Sequence, residues 1–386
     1  MPENPRCWLI LGPWHSRYGD PAAPASEATD RGVHRLVDVD AAGGRATRVL
    51  RWEQLRHSRS VHLTGNGRVV AAEETVTYTD LTVRVHGTRA LPDAMPLALL
   101  APDNDGWQIY LPIRLGADDC LFHQVDTLPA TTRHRYPPPP TVLAQTLHRL
   151  PAYSETAGSH ECWYFTQDPD IEYEHKFTLP TDTDIYALAR DIKNEIGRGE
   201  LSDYRAEFRN DFELWQFANH MFDITGPNPA DHGYASFIPR LNGGYTLKRK
   251  QFQHDGFART EHKTDCPPGI ATLTDMADHL TGTLGLDARY IGSFDRIRFD
   301  VMIENSATGH IHSLMTDRCL VSHTRAVLQQ LEIEYIHTRG NTRECRAEII
   351  SELDHLKNWT ARYLTHRGIP ATADYTSKHT FLHATA

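Results

Sequence analysis

Long hydrophobic runs and paired cysteines are both missing from this sequence. No apolar stretch approaches the roughly 20 residues that a membrane-spanning helix needs, and Trp8-Leu-Ile-Leu11 lacks the basic flank and the length of a signal peptide. These features favour a cytoplasmic protein without a membrane partner. The six cysteines are scattered and form no C-x-x-C pair, which favours free thiols over a disulfide framework.

Several catalytic signatures are absent as well. The sequence has no G-x-x-x-x-G-K-S/T loop, no G-x-G-x-x-G turn and no nucleophilic serine or cysteine elbow, which argues against P-loop and Rossmann enzymes. None of the 23 histidines stands in an H-E-x-x-H arrangement, so a zinc site is disfavoured. His310-x-His312 would place two imidazoles on one strand face, a weak signal for a metal site.

Positive charge is in the minority. Aspartate and glutamate number 50 against 40 lysines and arginines, which gives a net charge of -10. This balance argues against a broad nucleic-acid-binding surface. With 386 residues, 40% of them hydrophobic, the chain is long enough for two domains with their own cores.

The most informative segment that is present is the run Ile171-Glu-Tyr-Glu-His-Lys-Phe177. Alternation along a strand puts Glu172, Glu174 and Lys176 on one face and the aromatic and histidine side chains on the other. If the aromatic face packs against helices, the charged face lines a cavity, the reverse of an ordinary strand. The alternative is a surface strand with a solvated stripe of charge.

The same pattern recurs in other segments. Glu332 and Glu334 alternate with apolar residues in Leu331-Glu-Ile-Glu-Tyr-Ile336, and two basic strands follow the same period: Lys248 with Lys250, and Arg296 with Arg298. An antiparallel barrel that collects these faces inside would be a polar tunnel. Such a tunnel suits a polyphosphate with its metal ions.

The motif Glu172-x-Glu174-x-Lys176 resembles the E-x-E-x-K signature of the CYTH, or triphosphate tunnel metalloenzyme, superfamily. Further motifs follow in the family's order over about residues 168–383: Lys248 to Lys250, Arg296/Arg298, Asp317-Arg318, Glu332-x-Glu334 and Ser377-Lys378-His379. The chain departs from the pattern where His379 replaces the aromatic residue that usually follows the lysine. The segment from about Tyr204 to Gly233 is interpreted as an insertion.

The resemblance implies an α+β fold, with an eight-stranded antiparallel β tunnel and covering helices behind a smaller β-rich N-terminal domain. It implies a metal-dependent phosphohydrolase that uses Mg²⁺ or Mn²⁺ on a small phosphorylated substrate, a triphosphate or another organic polyphosphate or diphosphate. A nucleotidyl (adenylate) cyclase of the same family is the alternative enzyme. A non-catalytic binder of a phosphorylated ligand is disfavoured, because an anion receptor would gain from losing its carboxylates.

Roles follow from the same resemblance and from ligand chemistry, since hard cations prefer oxygen ligands. The expected metal ligands are Glu172, Glu174, Glu332 and Glu334, and the expected catalytic residues are Glu172, Glu174 and Lys176. The expected substrate-binding residues are Lys248, Lys250, Arg296, Arg298, Arg318 and Lys378. Asp317 is a further metal candidate, and the face shared by Arg259, Glu261 and Lys263 is either part of the tunnel or a solvated strand.

The N-terminal region is expected to be β-rich. The pattern predicts a hairpin at Ser60 to Val70, with its turn at Gly65-Asn66-Gly67. It also predicts strands at Thr75–Thr79 and Leu81–Val85, with a bulge at Asp80. A further strand is predicted at Trp107–Leu111. The proline run at 137–140 predicts a spacer. The predicted domains are therefore 1–135, a linker with a short helix at 136–160, and a tunnel domain at 161–386.

Helical periodicity predicts three helices in the second domain, with apolar stripes that begin at Ile185, Ile270 and Ile349. These stripes are expected to form the apolar cover of the barrel. The sequence does not indicate an oligomeric state.

Overall fold

The structure is a computed structural model, and its description covers most of the chain. The described residues are 6–13, 34–57, 60–63, 69–72, 74–79, 82–86, 91–104, 106–116, 118–129, 137–153, 164–207, 212–226, 229, 232–240, 243–251, 256–339 and 344–385. The chain divides into two compact units. Unit 1 comprises Met1–Phe165, Asn305–Gly309 and Thr338–Thr342, and unit 2 comprises Thr166–Glu304, His310–His337 and Arg343–Ala386.

Unit 1 contains an antiparallel sheet of 11 strands. The strands are β1 (Cys7–Gly12), β2 (His34–Val39), β3 (Ala42–Gly43), β4 (Thr47–Arg51), β5 (Ser60–Leu63), β6 (Val69–Ala72), β7 (Thr75–Thr79), β8 (Thr82–His86), β9 (Leu91–Asp103), β10 (Gly106–Leu115) and β11 (Asp119–Pro129). Their order is β3-β4-β11-β10-β9-β1-β2-β5-β6, with the β7–β8 hairpin joined to β9. The predicted β-rich N-terminal region is confirmed.

Both faces of the central strand β1 are buried, which explains its unbroken apolar run. Leu9 and Leu11 belong to one core cluster, whereas Trp8 and Ile10 belong to another, as the two-residue period of a strand requires. Helix α1 (Pro140–Arg149) packs on the second cluster. The helix at the proline run therefore lies in unit 1, and an independent linker at 136–160 stays a prediction.

Two details of the sequence interpretation fall on residues that the structure does not describe. The turn at Gly65-Asn66-Gly67 lies outside the described residues, but the flanking strands β5 and β6 pair as expected. Asp80 also lies outside them, and β7 and β8 pair across it as a hairpin in continuous register.

Unit 2 is built on a closed barrel of eight antiparallel strands. These are β13 (Ile171–Leu179), β15 (Phe212–Thr225), β16 (Gly233–Pro239), β17 (Tyr245–Gln251), β18 (Ala258–Asp265), β19 (Asp287–Asn305), β20 (His310–Val321) and β21 (Ala326–Arg339). The order β21-β20-β19-β15-β16-β17-β18-β13 closes because β13 also pairs with β21. Closure leaves no strand edge in the ring. The predicted tunnel fold is thereby confirmed.

Two short strands and four helices complete unit 2 among the described residues. The strands are β14 (Tyr204–Ala206) and β22 (Thr372–Asp374). Strand β12 (Tyr164–Phe165) belongs to unit 1 and pairs with Thr338 and Arg339 at the end of β21, which belong to the same unit. The helices are α2 (Ile185–Gly197), α3 (Leu273–Asp278, continued by a π turn at His279–Thr283), α4 (Arg346–His366) and α5 (Lys378–Thr385). The first three were predicted, and α5 was not. No helix in the described part of the chain is long and apolar enough to cross a membrane.

Two of the helices, α2 and α3, start at residues that cap them, and the helices cover the barrel with apolar faces. The Asp184 side chain accepts a hydrogen bond from the Ala187 amide at the start of α2, and Thr272 and Asp275 form a capping box on α3. Met276 of α3 packs with Leu247 in a cluster outside the barrel wall. The apolar core of unit 2 therefore lies largely between barrel and helices, which leaves the interior for polar groups.

The interpretation of Tyr204 to Gly233 as an insertion is wrong. β15 (Phe212–Thr225) from this segment is a barrel strand between β19 and β16. The whole of β15 pairs with β19, but its pairing with β16 begins only at His220, so the first half of β15 has a neighbouring strand on one side only. Leu214 and Trp215 there are exposed, so this half shows no clean apolar alternation and the sequence pattern hides the strand.

Candidate active site in the barrel interior

The strand β13 turns its charged face into the barrel. Glu172, Glu174 and Lys176 are only 7%, 2% and 4% exposed, and Glu174 and Lys176 stand opposite Glu334 and Glu332 of β21. The other face packs outward, where the His175 ring contacts Asp354 of α4. This arrangement follows from strand alternation in a closed barrel with external helices.

Three carboxylates form a cluster that we call the acidic site: Glu172, Glu174 and Glu334. One carboxylate oxygen from each lies within 4.8 Å of the others. Burial raises the pKa of Glu334, and the neighbouring charge of Glu172 raises it further. Such a cluster favours a cation that relieves the mutual repulsion.

Cations on β17 and β18 surround the acidic site. Lys248 Nζ lies 2.7 Å from Glu261 and 3.3 Å from Glu172. Lys250 contacts Glu172 and lies 3.2 Å from Glu261, and Arg259 contacts Glu172 at 3.1 Å. Burial opposes the charge on Lys250, but Glu172 and Glu261 outweigh it and hold its pKa well above the usual value. Arg259 and Glu261, only tentative from the sequence, therefore belong to the interior.

A second cluster, which we call the basic site, contains Lys176, Arg296 and Lys378 about the carboxylates of Asp317 and Glu332. Arg296 donates two hydrogen bonds to Asp317, one of them 2.7 Å long. Lys176 donates to Glu332 at 2.8 Å, and Lys378 donates to Asp317 at 2.9 Å and also contacts Glu332. Burial opposes ionisation of both carboxyls, but the cations outweigh it and hold both pKa values below the usual range.

The structure separates two residues that were grouped by the sequence. Glu332 was expected to share a metal with Glu334, but it lies among the cations of the basic site, whereas Glu334 joins the acidic site. Arg318 was expected in the tunnel. It follows Asp317 directly on β20, so alternation points it to the opposite, outer face.

The remaining predicted residue, Arg298, stays inside the barrel. It shares a face with Arg296 and pairs with Asp300 on the same strand. Burial raises the pKa of Asp300 despite this arginine. Asp300 was missed, although its place two residues after Arg298 is the same period-two signal that identified the arginines.

One end of the interior is open and the other is covered. A cavity of about 330 Å³ lies beside the acidic site, and its lining includes Glu172, Glu261 and Glu334. At the other end, Leu382 of α5 packs against Phe294 and Cys319, which continue the inward faces of β19 and β20. The acidic site therefore lies nearer the cavity, and the basic site lies nearer the covered end.

Acidic and basic side chains are interleaved through the described part of the interior. Its carboxylates include Glu172, Glu174, Glu261, Asp300, Asp317, Glu332 and Glu334, and its cations include Lys176, Lys248, Lys250, Arg259, Arg296, Arg298 and Lys378. The oxygen-only donor set of the acidic site fits Mg²⁺ or Mn²⁺. The cations suit phosphoryl oxygens, which arginine grips in pairs and lysine holds as a point charge.

Comparisons with known proteins find no matching family model and no matching curated protein. Among solved structures, a putative adenylyl cyclase from Hippeastrum, HpAC1, described as having a dominant triphosphatase activity, is similar over 55% of this chain and 95% of its own, with 15% identity and a TM-score of 0.34. The RNA triphosphatase Pct1 of S. pombe, solved with the Spt5 CTD, is similar over 59% and 88%, with 11% identity and a TM-score of 0.22. Scores this low carry no argument, so the tunnel fold rests on the strand order itself.

Proposed function

We propose that unit 2 is a metal-dependent phosphohydrolase that cleaves a triphosphate or another organic polyphosphate inside the barrel. The observation that supports this most strongly is the concentration of buried charge in the barrel: three carboxylates converge beside the cavity with cations around them, and further cations gather about Asp317 and Glu332 behind them. Cleavage of a phosphoanhydride is mainly a problem of neutralising several phosphoryl groups and aligning a water. The two clusters supply complementary parts of that task.

The buried ion pairs of the interior suggest how a highly charged substrate is admitted. Without a ligand, the cations of the basic site are held by Asp317 and Glu332. An incoming phosphate chain offers oxygens that compete with these carboxylates for Lys176, Arg296 and Lys378. Because the substrate brings divalent cations with it, the exchange adds little net charge to a buried space, where uncompensated charge is costly.

Each cluster has a defined part in the reaction. Glu172, Glu174 and Glu334 would hold the metal, which, when bound, neutralises phosphoryl charge and lowers the pKa of a water nucleophile. Lys248, Lys250 and Arg259 orient the acidic-site carboxylates through their ion pairs. Arg296 and Lys378 would bind the end of the chain that lies deepest in the barrel. The packing of α5 excludes water at that end.

A product screen tests the proposal. The full chain is incubated with inorganic triphosphate, nucleoside triphosphates, thiamine triphosphate and prenyl diphosphates, with Mg²⁺ or Mn²⁺, and the products are identified by mass. Hydrolysis yields orthophosphate or pyrophosphate with a shortened substrate, as we expect. A cyclic nucleotide with pyrophosphate would make the protein a cyclase, and binding without any product would make it a receptor.

A further inference from the structure

A third group of ligating side chains lies outside the tunnel clusters, on the C-terminal helix. His379 and His383 of α5 and Asp223 of β15 each present one ligand atom, and these atoms lie within 4.8 Å of one another. His379 Nε2 lies 2.6 Å and His383 Nε2 2.8 Å from the same oxygen, Asp223 Oδ1. The two histidines are four residues apart, so they share one face of the helix.

We infer that Asp223, His379 and His383 form a binding site for a transition-metal ion of the zinc type, and that this site positions α5. Two imidazoles and a carboxylate suit Zn²⁺, whereas the oxygen-only acidic site suits Mg²⁺ or Mn²⁺. The two sites therefore select different metals. This inference does not depend on the proposed phosphohydrolase activity.

Only a small movement would convert the observed geometry into a coordination shell. Ligand atoms about 2.0–2.1 Å from a tetrahedral zinc lie about 3.3 Å apart. Both histidine Nε2 atoms already lie at hydrogen-bonding distance from Asp223 Oδ1, so each needs to separate from that oxygen by only about 0.5–0.7 Å. His383 is 41% exposed, which leaves the fourth coordination position open to water and gives the ion a path of entry.

Neighbouring groups hold the ligands in orientation, as supporting residues do around known metal sites. Arg289 donates to the other oxygen of Asp223 at 3.0 Å and so fixes the plane of the carboxylate. The Tyr234 ring stacks on His379 with centroids 5.2 Å apart and planes 13° apart, which fixes the imidazole. Arg289 contacts Oδ2, whereas both histidines contact Oδ1, so this hydrogen bond leaves the oxygen that faces the histidines available to a cation.

A metal ion at this site would affect the tunnel because α5 contributes residues to the barrel interior. Lys378 precedes His379 in the helix, and its ammonium reaches Asp317 and Glu332 in the basic site. Leu382 lies between the two histidines and packs into the covered end of the barrel. An ion bound to Asp223 of β15 and to the two histidines of α5 would tie this helix to the barrel wall, and would therefore hold both the tunnel lysine and the apolar cover in place.

A second cluster of similar composition is a weaker candidate. His310 and His312 contact Glu352, but each lies against a different carboxylate oxygen, at 3.0 and 2.9 Å. Both imidazoles are fully buried, so this cluster offers no open coordination position and no path for an ion. It is better explained as a hydrogen-bonded clamp between β20 and α4.

Titration of the metal-stripped full chain with Co²⁺, followed by visible absorption, and then with Zn²⁺ in competition tests the site. The wild type should bind one ion per chain that gives a tetrahedral or five-coordinate cobalt spectrum, separate from any ion held by the oxygen ligands of the acidic site. His383→Gln should weaken binding about 100-fold or more, because even changes outside a ligand set cost about 10- to 100-fold. His366→Gln, an exposed histidine at the end of α4, is the matched control and should bind as the wild type does.

Two measurements keep the test decisive if His383→Gln fails to fold. X-ray absorption at the zinc edge of the wild-type protein should count two imidazoles and a carboxylate. Hydrogen exchange over residues 378–385 should slow when Zn²⁺ is added to the wild type. The inference is overturned if the wild type binds neither ion, or if His383→Gln binds as tightly as the wild type does. It is also overturned if only oxygen ligands surround the zinc, or if Zn²⁺ leaves the rate of hydrogen exchange in α5 unchanged.

Discussion

The core of unit 1 and the barrel interior of unit 2 obey the same strand alternation, yet they bury opposite kinds of side chain. In unit 1 both faces of β1 meet apolar clusters, and Arg35 and Glu74 form a buried ion pair beside them with both side chains 0% exposed. In the barrel the hidden face carries connected networks of acids and bases.

This difference separates stability from function. Buried ion pairs are often no more stabilising than apolar residues of the same size, so a charged interior of this extent is poorly explained by stability alone. The barrel can tolerate it because its apolar core lies outside, under helices such as α3. We therefore expect changes in the tunnel to affect activity, and changes in the unit 1 pair or under the outer helices to affect folding.

The largest effect is expected from Glu172→Gln combined with Glu174→Gln. The amides keep the shape of the side chains but remove two ionic metal ligands, so phosphate release should fall by about three or more orders of magnitude. Thermal unfolding should still show a cooperative transition, at a lower temperature than in the wild type, because Lys250 and Arg259 lose a buried ion-pair partner while Glu261 remains beside Lys250. Undiminished turnover in this variant would refute the acidic-site assignment.

The opposite pattern is expected for Glu74→Gln in unit 1. Removing the carboxylate takes away a fully buried ion-pair partner of Arg35, which should lower the free energy of unfolding by about 3–5 kcal/mol. Chemical denaturation measures this change. Phosphate release at a temperature where the variant stays folded should match that of the wild type. A large loss of turnover with unchanged stability would reverse the comparison between the two regions.

A smaller loss of stability is expected when the pH is lowered, because Glu352, on the outer side of the barrel, becomes protonated. Burial opposes ionisation of Glu352, but hydrogen bonds from His310 and His312 bring its pKa down to about 2. Because the unfolded carboxyl titrates near 4.3, its contribution is complete above that pH and is lost as the pH falls towards 2, on the order of 3 kcal/mol.

Burial lowers the pKa of His312 in the folded protein. The unfolded state therefore takes up this proton first, and the folded state loses stability as the pH falls below the unfolded pKa of about 6.5. Denaturation curves between pH 7 and 3 should therefore show a smaller loss for Glu352→Gln than for the wild type. Equal losses in the two proteins would mean that Glu352 does not carry this acid sensitivity.

The smallest expected effect on turnover is tested by a pair of variants at neighbouring positions on β17. Lys248→Ala removes an inward cation and should raise KM about 10- to 100-fold, with a smaller change in kcat. Arg249 shares the outer face with Leu247, so Arg249→Ala should change both constants less than about twofold. The pair controls for position, since the residues are adjacent. A damaging Arg249→Ala with a silent Lys248→Ala would place the strand register off by one.

Local periodicity was enough to predict the inward faces of β13, β17, β19 and β21, because it depends only on alternation within a strand. It did not predict which carboxylates meet. Glu332 and Glu334 are equivalent by spacing, but the register against β13 places one beside Lys176 and the other beside Glu174. That separation is a long-range property that no single strand encodes.

The sequence interpretation also missed signals that were present. Asp317 and Arg318 are adjacent in a strand, so both could not face inward, and the structure places Asp317 inside. His379 and His383 stand four residues apart, a spacing that indicates one helix face once α5 is recognised. The third ligand, Asp223, lies in the segment mistaken for an insertion, so this site could not be assembled before β15 was placed in the barrel.

Diffraction from crystals grown with Mn²⁺ and a non-hydrolysable triphosphate analogue tests the central claim most directly, because the anomalous signal of manganese locates the metal without reference to activity. The account predicts a peak bonded to the carboxylates of Glu172, Glu174 and Glu334, with phosphoryl oxygens on Arg296 and Lys378. An interior without manganese, or manganese on Glu332 with the phosphates outside the barrel, would contradict it.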